Sequence, residues 1–139
     1  MRSIFADSYY YLALLNPRDA AHAPAMAATE GRSERLVTTA YVLLEVADAW
    51  AAPLDRRRFL ALADRLAADR SVTVVPTRAE LFERGLALYR RRLDKAWPLT
   101  DCISFVVMGD LGIEEALTGD IHFKQAGFRP LLAVEARRP

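Results

Sequence analysis

Four carboxylates each lie where an apolar segment of this sequence meets a predicted strand end or helix. They are Asp7, Glu45, Asp101 and Asp120. Four carboxylates at close range repel one another, so the pKa of each rises unless a cation compensates. Hard oxygen ligands of this kind suit Mg²⁺ or Mn²⁺. Such a site supports hydrolysis of a phosphodiester, because a metal ion activates water and stabilises charge on the phosphoryl oxygens.

Each acid also has a purely structural explanation. Asp7 precedes one predicted helix, and Asp101 lies with Thr100 at the start of another, so both are candidates for helix caps. Glu45 is harder to explain in this way, because its helix is apolar on several sides and a lone carboxylate there is costly. Asp48 shares the face of Glu45, and we interpret it as the solvated edge of that face rather than a fifth acid at the rim. From the residues alone, a metal site and separate caps both stay open.

The hydrophobic pattern predicts the elements that must bring these acids together. Short β-type runs bounded by polar, Gly or Pro residues occur at 3–6, 35–39, 71–76, 114–118 and, weakly, 129–134. Helical patterns lie between them. Strands that alternate with helices indicate an α/β fold with a mainly parallel sheet. Ligands bind at the carboxyl ends of such strands, so all four acids are able to share one sheet edge.

The segment between the first two strands is less regular. We expect residues 16–35 to be helical as well, with Pro24 breaking or kinking the helix. The last residues, 135–139, look loosely held.

Length, charge and cysteine content bound the class of protein. A chain of 139 residues is most simply one domain, residues 1–139. Its 19 basic and 18 acidic residues leave a net charge of +1, which gives no overall attraction to nucleic acid or membrane. Cys102 is the only cysteine, so we expect a reducing compartment and interpret this thiol as part of the core. No apolar run approaches the ~20 residues of a membrane helix, and we therefore expect a soluble, cytoplasmic protein.

Four segments carry the acids in a characteristic order: IFADSYYYLALL, VTTAYVLLEVADA, WPLTDCISFVVM and ALTGDIHFKQAGF. Together, in a chain of this size, they resemble the PIN-domain family, and within it the VapC-like toxins of bacterial toxin–antitoxin pairs. The resemblance implies a three-layer α/β/α fold with a mainly parallel sheet of about five strands. It also implies an endoribonuclease that depends on one or two Mg²⁺ or Mn²⁺ ions. Carried over by position, the acidic set is Asp7, Glu45, Asp101 and Asp120.

The resemblance also implies how the site would work. Asp7, Asp101 and Asp120 would anchor the metal, and Glu45 would bind metal or position the attacking water. Thr100 and Thr118 are hydroxyl neighbours expected to order a water there. Because the attacker is water rather than the ribose 2′-hydroxyl, we expect products with a 3′-hydroxyl and a 5′-phosphate. The implied partners are RNA, a small antitoxin that covers the pocket, and a second copy in a homodimer built on apolar helix faces.

Other residues near the acids have two interpretations each. The basic residues of YRRRLDKAW, which are Arg90, Arg91, Arg92 and Lys95, either hold an RNA backbone or stabilise a helix end. We interpret His122 as a first-turn helix residue near the pocket rather than a metal ligand. Among the tyrosines at 9–11, we expect at least two to be buried, although base stacking is the alternative. Trp97 is interpreted as a core or interface residue.

Three other functional classes stay in view. One is a nuclease that processes RNA without an antitoxin, and another is a PIN module that binds RNA or protein without cutting. The presence of all four acids favours an enzyme, because a binding module has little need for carboxylates that repel one another. The third class, phosphatases and receivers that form an aspartyl phosphate, fits less well, because Asp7 is followed at the second position by Tyr9 instead of an acid.

Overall fold

The chain folds around one parallel sheet with helices between successive strands. In the computed structural model, which describes residues 2–133, the strands lie in the order β3-β2-β1-β4-β5 and all neighbours are parallel. Their bounds are Ser3–Ala6 (β1), Arg35–Thr39 (β2), Val72–Val75 (β3), Glu115–Leu117 (β4) and Arg129–Pro130 (β5). The helices are Ser8–Leu15 (α1), His22–Thr29 (α2), Ala40–Ala49 (α3), Arg56–Ala68 (α4), Ala79–Arg91 (α5), Leu99–Leu111 (α6) and Ile121–Gln125 (α7). The predicted three-layer α/β/α fold with about five strands is confirmed.

The strand order contains a reversal beside β1. The chain runs outward from β1 through β2 to β3, then returns to place β4 and β5 on the other side of β1. Ala6 at the end of β1 pairs with Leu117 at the end of β4. At such a reversal the connections after two neighbouring strands diverge to opposite faces of the sheet and leave a crevice for ligands. The segments that follow β1 and β4 therefore meet at one place.

Aromatic packing fixes the helices at this end of the sheet. Phe105 of α6 packs edge-on against Phe123 of α7, with ring centroids 4.9 Å apart. It packs in the same way against Trp97, at 5.1 Å. Phe123 also contacts Phe5 of β1, at 6.3 Å. These rings are all buried, so β1, α6 and α7 share one rigid core.

Two helices of the fold approach each other closely at a glycine. Gly85 of α5 lies against Ile103 of α6, and a Cβ on Gly85 would collide with the Cγ1 atom of Ile103. The absence of a side chain at Gly85 therefore sets the distance between α5 and α6.

The first four strand predictions agree with the observed strands to within one residue at each end, whereas the fifth extends too far. The first two match the observed bounds, and the third and fourth are slightly shorter than predicted. The fifth was predicted at 129–134 but is observed only at Arg129–Pro130, because the chain turns at residues 131 and 132. Its predicted last residue, Val134, lies outside the described residues. The prediction that 135–139 are loosely held also falls outside them.

The prediction for Pro24 was wrong. Pro24 is the third residue of α2, which continues without a break from His22 to Thr29. Proline is tolerated there because the first backbone N–H groups of a helix have no partner within the helix. The helix is also shorter than the predicted 16–35. The preceding residues form turns, in which the Asp19 carboxylate accepts a hydrogen bond from the Ala21 N–H at 2.8 Å.

Within residues 2–133, no helix combines the length and the hydrophobicity that crossing a membrane requires.

Candidate active site

The four predicted acids converge where the strand order reverses. Asp7 directly follows β1, and Asp120 lies three residues beyond the end of β4. Glu45 lies in α3, which begins directly after β2 because the Thr39 hydroxyl caps it by accepting a hydrogen bond from the Val42 N–H at 3.1 Å. Asp101 lies in the first turn of α6. The four acids are close enough for their charges to interact. The charges of Asp101 and Glu45 raise the pKa of Asp7, and those of Asp120 and Glu45 raise the pKa of Asp101.

Asp7 is held as a buried carboxylate. Only 2% of the residue is exposed, and the Thr118 hydroxyl donates a hydrogen bond to its Oδ2 atom at 2.8 Å. Burial, followed by the charge of Asp101, raises the pKa of Asp7 to about 7. Asp7 occupies the N-cap position of α1, yet its side chain makes no capping hydrogen bond. Its carboxylate therefore faces the site instead of serving as the cap that the sequence left open.

Asp101 is buried in the same way, in the first turn of α6. Burial raises its pKa to about 7, and the charges of Asp120 and Glu45 add to this effect. Pro98 occupies the N-cap position of α6, so Asp101 is the third residue of the helix and is not its N-cap. Together with Asp7 it places negative charge in a region where water solvates it poorly, and such a region favours a bound cation.

Asp120 and His122 complete the cluster from α7. Asp120 caps this helix, and its Oδ1 atom accepts a hydrogen bond from the His122 N–H at 2.9 Å. This turn brings the His122 Nδ1 atom to 3.1 Å from both Asp120 Oδ1 and Asp101 Oδ2. His122 is a first-turn residue as predicted, but it also contacts two of the acids, which the sequence interpretation underestimated. The signal was available in the spacing, because the second residue after a capping Asp lies beside that carboxylate.

Ser8 is a site residue that the sequence reasoning missed. It is buried, and its hydroxyl donates a hydrogen bond to the Glu45 Oε1 atom. The Ser8 Oγ atom also lies 3.5 Å from Asp7 Oδ1. Ser8 therefore connects the acid after β1 with the acid on α3. The only signal in the sequence was its position next to Asp7.

The three residues predicted to support the acids have different surroundings. Thr118 is fully buried, and its hydroxyl accepts a hydrogen bond from the Asp120 N–H at 3.1 Å while donating to Asp7. Thr100 is partly buried, one residue before Asp101. Asp48 is exposed and lines a cavity of about 390 Å³ between α3 and α4, which none of the four acids lines. The interpretation of Asp48 as a solvated edge agrees with this exposure.

The four predicted basic residues lie at the end of α5 and in the turn that follows it. Arg90 and Arg91 are exposed in the last helical turn. Arg92 forms a two-pronged ion pair with Asp94, at 2.9 and 3.0 Å. The Lys95 ammonium lies 3.9 Å from the same carboxylate. Their contact with RNA stays a prediction.

The aromatic residues near the acids are mostly core residues. Tyr10 and Tyr11 are each 1% exposed, which confirms that at least two of the three tyrosines are buried. Tyr9 is partly exposed, and its ring lies over Gly119 so closely that a Cβ there would come within 2.5 Å of it. Trp97 is buried, and its Nε1 atom donates a hydrogen bond to Gln125 Oε1 at 3.0 Å, in agreement with its interpretation as a core residue.

The donor atoms of the cluster fit a divalent cation. One ligand atom from each of Asp101, Asp120 and His122 lies within 4.8 Å of the others, and Asp7 and Glu45 add carboxylate oxygens beside them. An oxygen-rich set of this kind is typical of Mg²⁺ and Mn²⁺ sites. A cation would also offset the burial and the charge repulsion that together raise the pKa of Asp7 and Asp101.

Comparison with known proteins identifies relatives along nearly the whole chain. The PIN-domain family profile matches residues 4–129. The 23S rRNA-specific endonuclease VapC20 of Mycobacterium tuberculosis is 33% identical over 128 residues, which cover 90% of this chain and 95% of VapC20. The crystal structure of VapC20, described as a toxin that cleaves the sarcin–ricin loop, has a TM-score of 0.83 and 27% identity. It covers 96% of this chain and 99% of that one.

Two more distant structures share the fold alone. VapBC2 from Rickettsia felis, bound to a DNA fragment from its promoter, has a TM-score of 0.64 at 9% identity and covers 92% of this chain and 96% of its own. FitAcB from Neisseria gonorrhoeae has a TM-score of 0.63 at 15% identity and covers 91% and 94%.

Proposed function

Because the chain belongs to the PIN-domain family, we propose that it is an endoribonuclease that depends on Mg²⁺ or Mn²⁺ and hydrolyses phosphodiester bonds of RNA. The observation that carries this proposal is the pair of buried aspartates, Asp7 and Asp101, each with a pKa of about 7. Glu45 and Asp120 lie beside them. A cluster of acids that is unfavourable by itself becomes favourable with a cation. We also propose that residues 1–139 act as one nuclease domain.

Each acid has a proposed role. Asp7, Asp101 and Asp120 hold the metal ion, and Glu45 binds it or orients the attacking water. When bound, the ion would supply charge stabilisation to the scissile phosphate and lower the pKa of water. Thr118 keeps the Asp7 carboxylate in its orientation through the 2.8 Å hydrogen bond, and Ser8 does the same for Glu45. Thr100 is a further candidate for ordering water.

The proposed chemistry predicts the ends of the products. Water attacks the phosphorus, and the bond from phosphorus to the 3′-oxygen breaks. The 3′-oxygen takes up a proton, so one product ends in a 3′-hydroxyl and the other begins with a 5′-phosphate. A cyclic phosphate would require attack by the ribose 2′-hydroxyl, and its detection would contradict the proposed roles.

We propose 23S rRNA as the first substrate to test and an antitoxin as the protein partner. The substrate is suggested by VapC20, which is named for 23S rRNA and shares 33% of its residues with this chain. The partner is suggested by the description of VapC20 as a toxin and by the resemblance to toxins of toxin–antitoxin pairs. A homodimer in the cytoplasm completes the proposal. Exposed apolar residues on helices, such as Leu44 at 59% and Leu60 at 56%, would suit its interface.

The test is cleavage of purified 23S rRNA and total RNA by the protein freed of any partner, with Mg²⁺, with Mn²⁺ and with chelator. Asp101→Asn is the inactivating variant. Asp64→Asn is the matched control, since Asp64 is exposed on α4. We expect cleavage that requires metal, survives in the control and is lost in Asp101→Asn. Equal cleavage by all preparations would indicate a contaminating nuclease, and a folded, metal-loaded protein that cuts no RNA would favour the binding module.

A further inference from the structure

A cavity of about 540 Å³ lies between the end of α5, the turn that follows it and the start of α6. We infer that this cavity is a subsite for one nucleobase of the RNA and its adjoining phosphate; the inference rests on the proposed function. Its volume lies within the range of small-ligand pockets, roughly 300–1,000 Å³. Its lining combines aromatic and aliphatic side chains with one cation: Leu86, Tyr89, Lys95, Trp97, Pro98 and Leu99.

The cavity adjoins the elements that carry the acids. Leu99, which lines it, is the first residue of α6 and lies two residues before Asp101. Trp97 connects the cavity to α7, because its Nε1 atom donates to Gln125 Oε1 at 3.0 Å. Gln125 is the last residue of the helix that Asp120 caps. The cavity therefore adjoins the elements that carry two of the proposed metal ligands, Asp101 and Asp120, and an RNA segment bound in it would lie next to those elements.

Tyr89 supplies the surface on which a base can stack. It is 46% exposed at the edge of the cavity, and an exposed aromatic ring beside a groove is the feature that single-strand binders use for base stacking. Trp97 does not have this role. It is 5% exposed, and the Arg92 guanidinium lies over its ring at 5.0 Å. Trp97 therefore forms the floor of the cavity and Tyr89 its accessible wall.

Lys95 supplies the charge for the adjoining phosphate. Its neighbourhood is strongly basic: residues 90–95 contain four basic residues and one acidic residue, a local net charge of +3 in a chain whose total is +1. The Lys95 N–H donates to the Arg92 carbonyl at 3.1 Å, and this turn brings the lysine back to the cavity. A concentrated positive charge that ends six residues before Asp101 suits a polyanion that must reach the acidic site.

The chain offers a matched control for Tyr89. Phe82 lies seven residues earlier on the same helix and is 45% exposed, nearly the same as Tyr89. Seven residues are about two helical turns, so Phe82 has the same helix, a similar orientation and similar exposure, but it does not line the cavity.

The binding experiment measures fluorescence anisotropy of a labelled single-stranded RNA of roughly 12 nucleotides, which is within the usual site sizes of such binders. All proteins carry Asp101→Asn, so that the RNA stays intact. Mg²⁺ is present throughout. We expect Tyr89→Ala to raise Kd by about 10-fold, which corresponds to the loss of stacking by one base. Tyr89→Phe and Phe82→Ala should leave Kd unchanged. We expect Lys95→Gln to reduce the slope of log Kd against log salt by about 1.

Two outcomes separate the subsite from the proposed function. A photoreactive 4-thiouridine RNA that cross-links to the peptide of residues 86–99, identified by mass spectrometry, supports the subsite even if the wild type cuts nothing. If the wild type cuts RNA while Tyr89→Ala and Lys95→Gln bind and cut it like the wild type, the subsite is overturned and the nuclease stands. In the active enzyme we expect Tyr89→Ala to raise KM with kcat unchanged, since stacking away from the scissile bond contributes equally to substrate and transition state.

Discussion

At the scale of single residues, the site consists of side chains placed where their charge is unfavourable. Asp7 and Asp101 are 2% and 4% exposed, and burial is the first cause of the raised pKa of both. Hydroxyl groups of Ser8 and Thr118 partly solvate the acids, but they bring no positive charge. Perturbed carboxylates of this kind are characteristic of functional sites, where stability is lost in exchange for chemistry.

The first prediction concerns Asp7. Replacing it with Asn removes a buried, repelled charge and keeps an oxygen able to accept the hydrogen bond from Thr118. We expect Asp7→Asn to raise Tm in chelator at pH 8 and to reduce cleavage by roughly 100-fold or more, because the site loses a proposed metal ligand. Thermal unfolding and single-turnover cleavage measure the two effects. A variant with a lower Tm and full activity would show that Asp7 is a structural residue.

The second prediction concerns Gly119, between Thr118 and Asp120. A methyl group there would come within 2.5 Å of the Tyr9 ring and displace either the ring or the loop that positions Asp120. We expect Gly119→Ala to reduce cleavage by about 10-fold or more and to cost ~1–3 kcal/mol of unfolding free energy. A Tyr9→Leu background should recover part of this loss, since it removes the colliding atoms. Additive effects of the two substitutions would argue against this contact as the cause.

At the scale of elements, α6 determines the position of Asp101. Its first turn carries the acid, and its middle packs against Gly85 of α5 through Ile103. Its Phe105 ring packs against Phe123 of α7, the helix that Asp120 caps. Helix packing at these contacts therefore holds Asp101 near Asp120.

The third prediction tests this packing with two Gly→Ala substitutions in helices. Alanine is the better helix former at both positions, so any difference reports the surroundings. Gly109 in α6 is exposed and has open space around it, and we expect Gly109→Ala to stabilise by ~0.5–1 kcal/mol. Gly85→Ala should instead destabilise by ~1–3 kcal/mol, because α5 and α6 must separate. Urea unfolding measures both, and a stabilising Gly85→Ala would refute the close approach.

At the scale of the whole molecule, the acid cluster links folding to pH and, through the proposed metal site, to divalent cations. Asp7 and Asp101 have a pKa of about 7 in the folded protein, whereas the ordinary pKa of an aspartate is 3.8. Between these values the folded state binds more protons than the unfolded state, so stability falls as pH rises. The stability associated with the raised pKa of these two groups is fully present below about pH 4 and is lost as the pH rises through about 7. A metal ion that binds only the folded state acts in the opposite direction.

The fourth prediction follows from this linkage. In chelator we expect Tm to fall by several degrees between about pH 5 and about pH 8, since 1 kcal/mol corresponds to roughly 2–8 °C for domains of such sizes. Millimolar Mn²⁺ should restore Tm at the higher pH. In Asp7→Asn the fall should be smaller, because one of the two raised groups is gone. A Tm that is independent of pH in chelator and unaffected by Mn²⁺ would contradict the electrostatic description of the site.

The sequence by itself determined the order of the elements and most strand bounds, because apolar periodicity and turn residues act over a few positions. It also singled out Asp7, Glu45, Asp101 and Asp120, since each lies at a predicted strand end or helix on the same sheet edge. Their catalytic and metal-binding roles stay predictions. The family resemblance then supplied the chemistry that pattern alone left open.

Only the tertiary structure decided which side chains meet. The hydrogen bond between Thr118 and Asp7 joins residues 111 positions apart, and its existence depends on β4 lying beside β1. The contact of His122 with Asp101, the contact of Ser8 with Glu45 and the cavity beside Tyr89 likewise depend on strand order and helix packing. Local sequence carries no information about such distances, because they are set by how all the elements pack together.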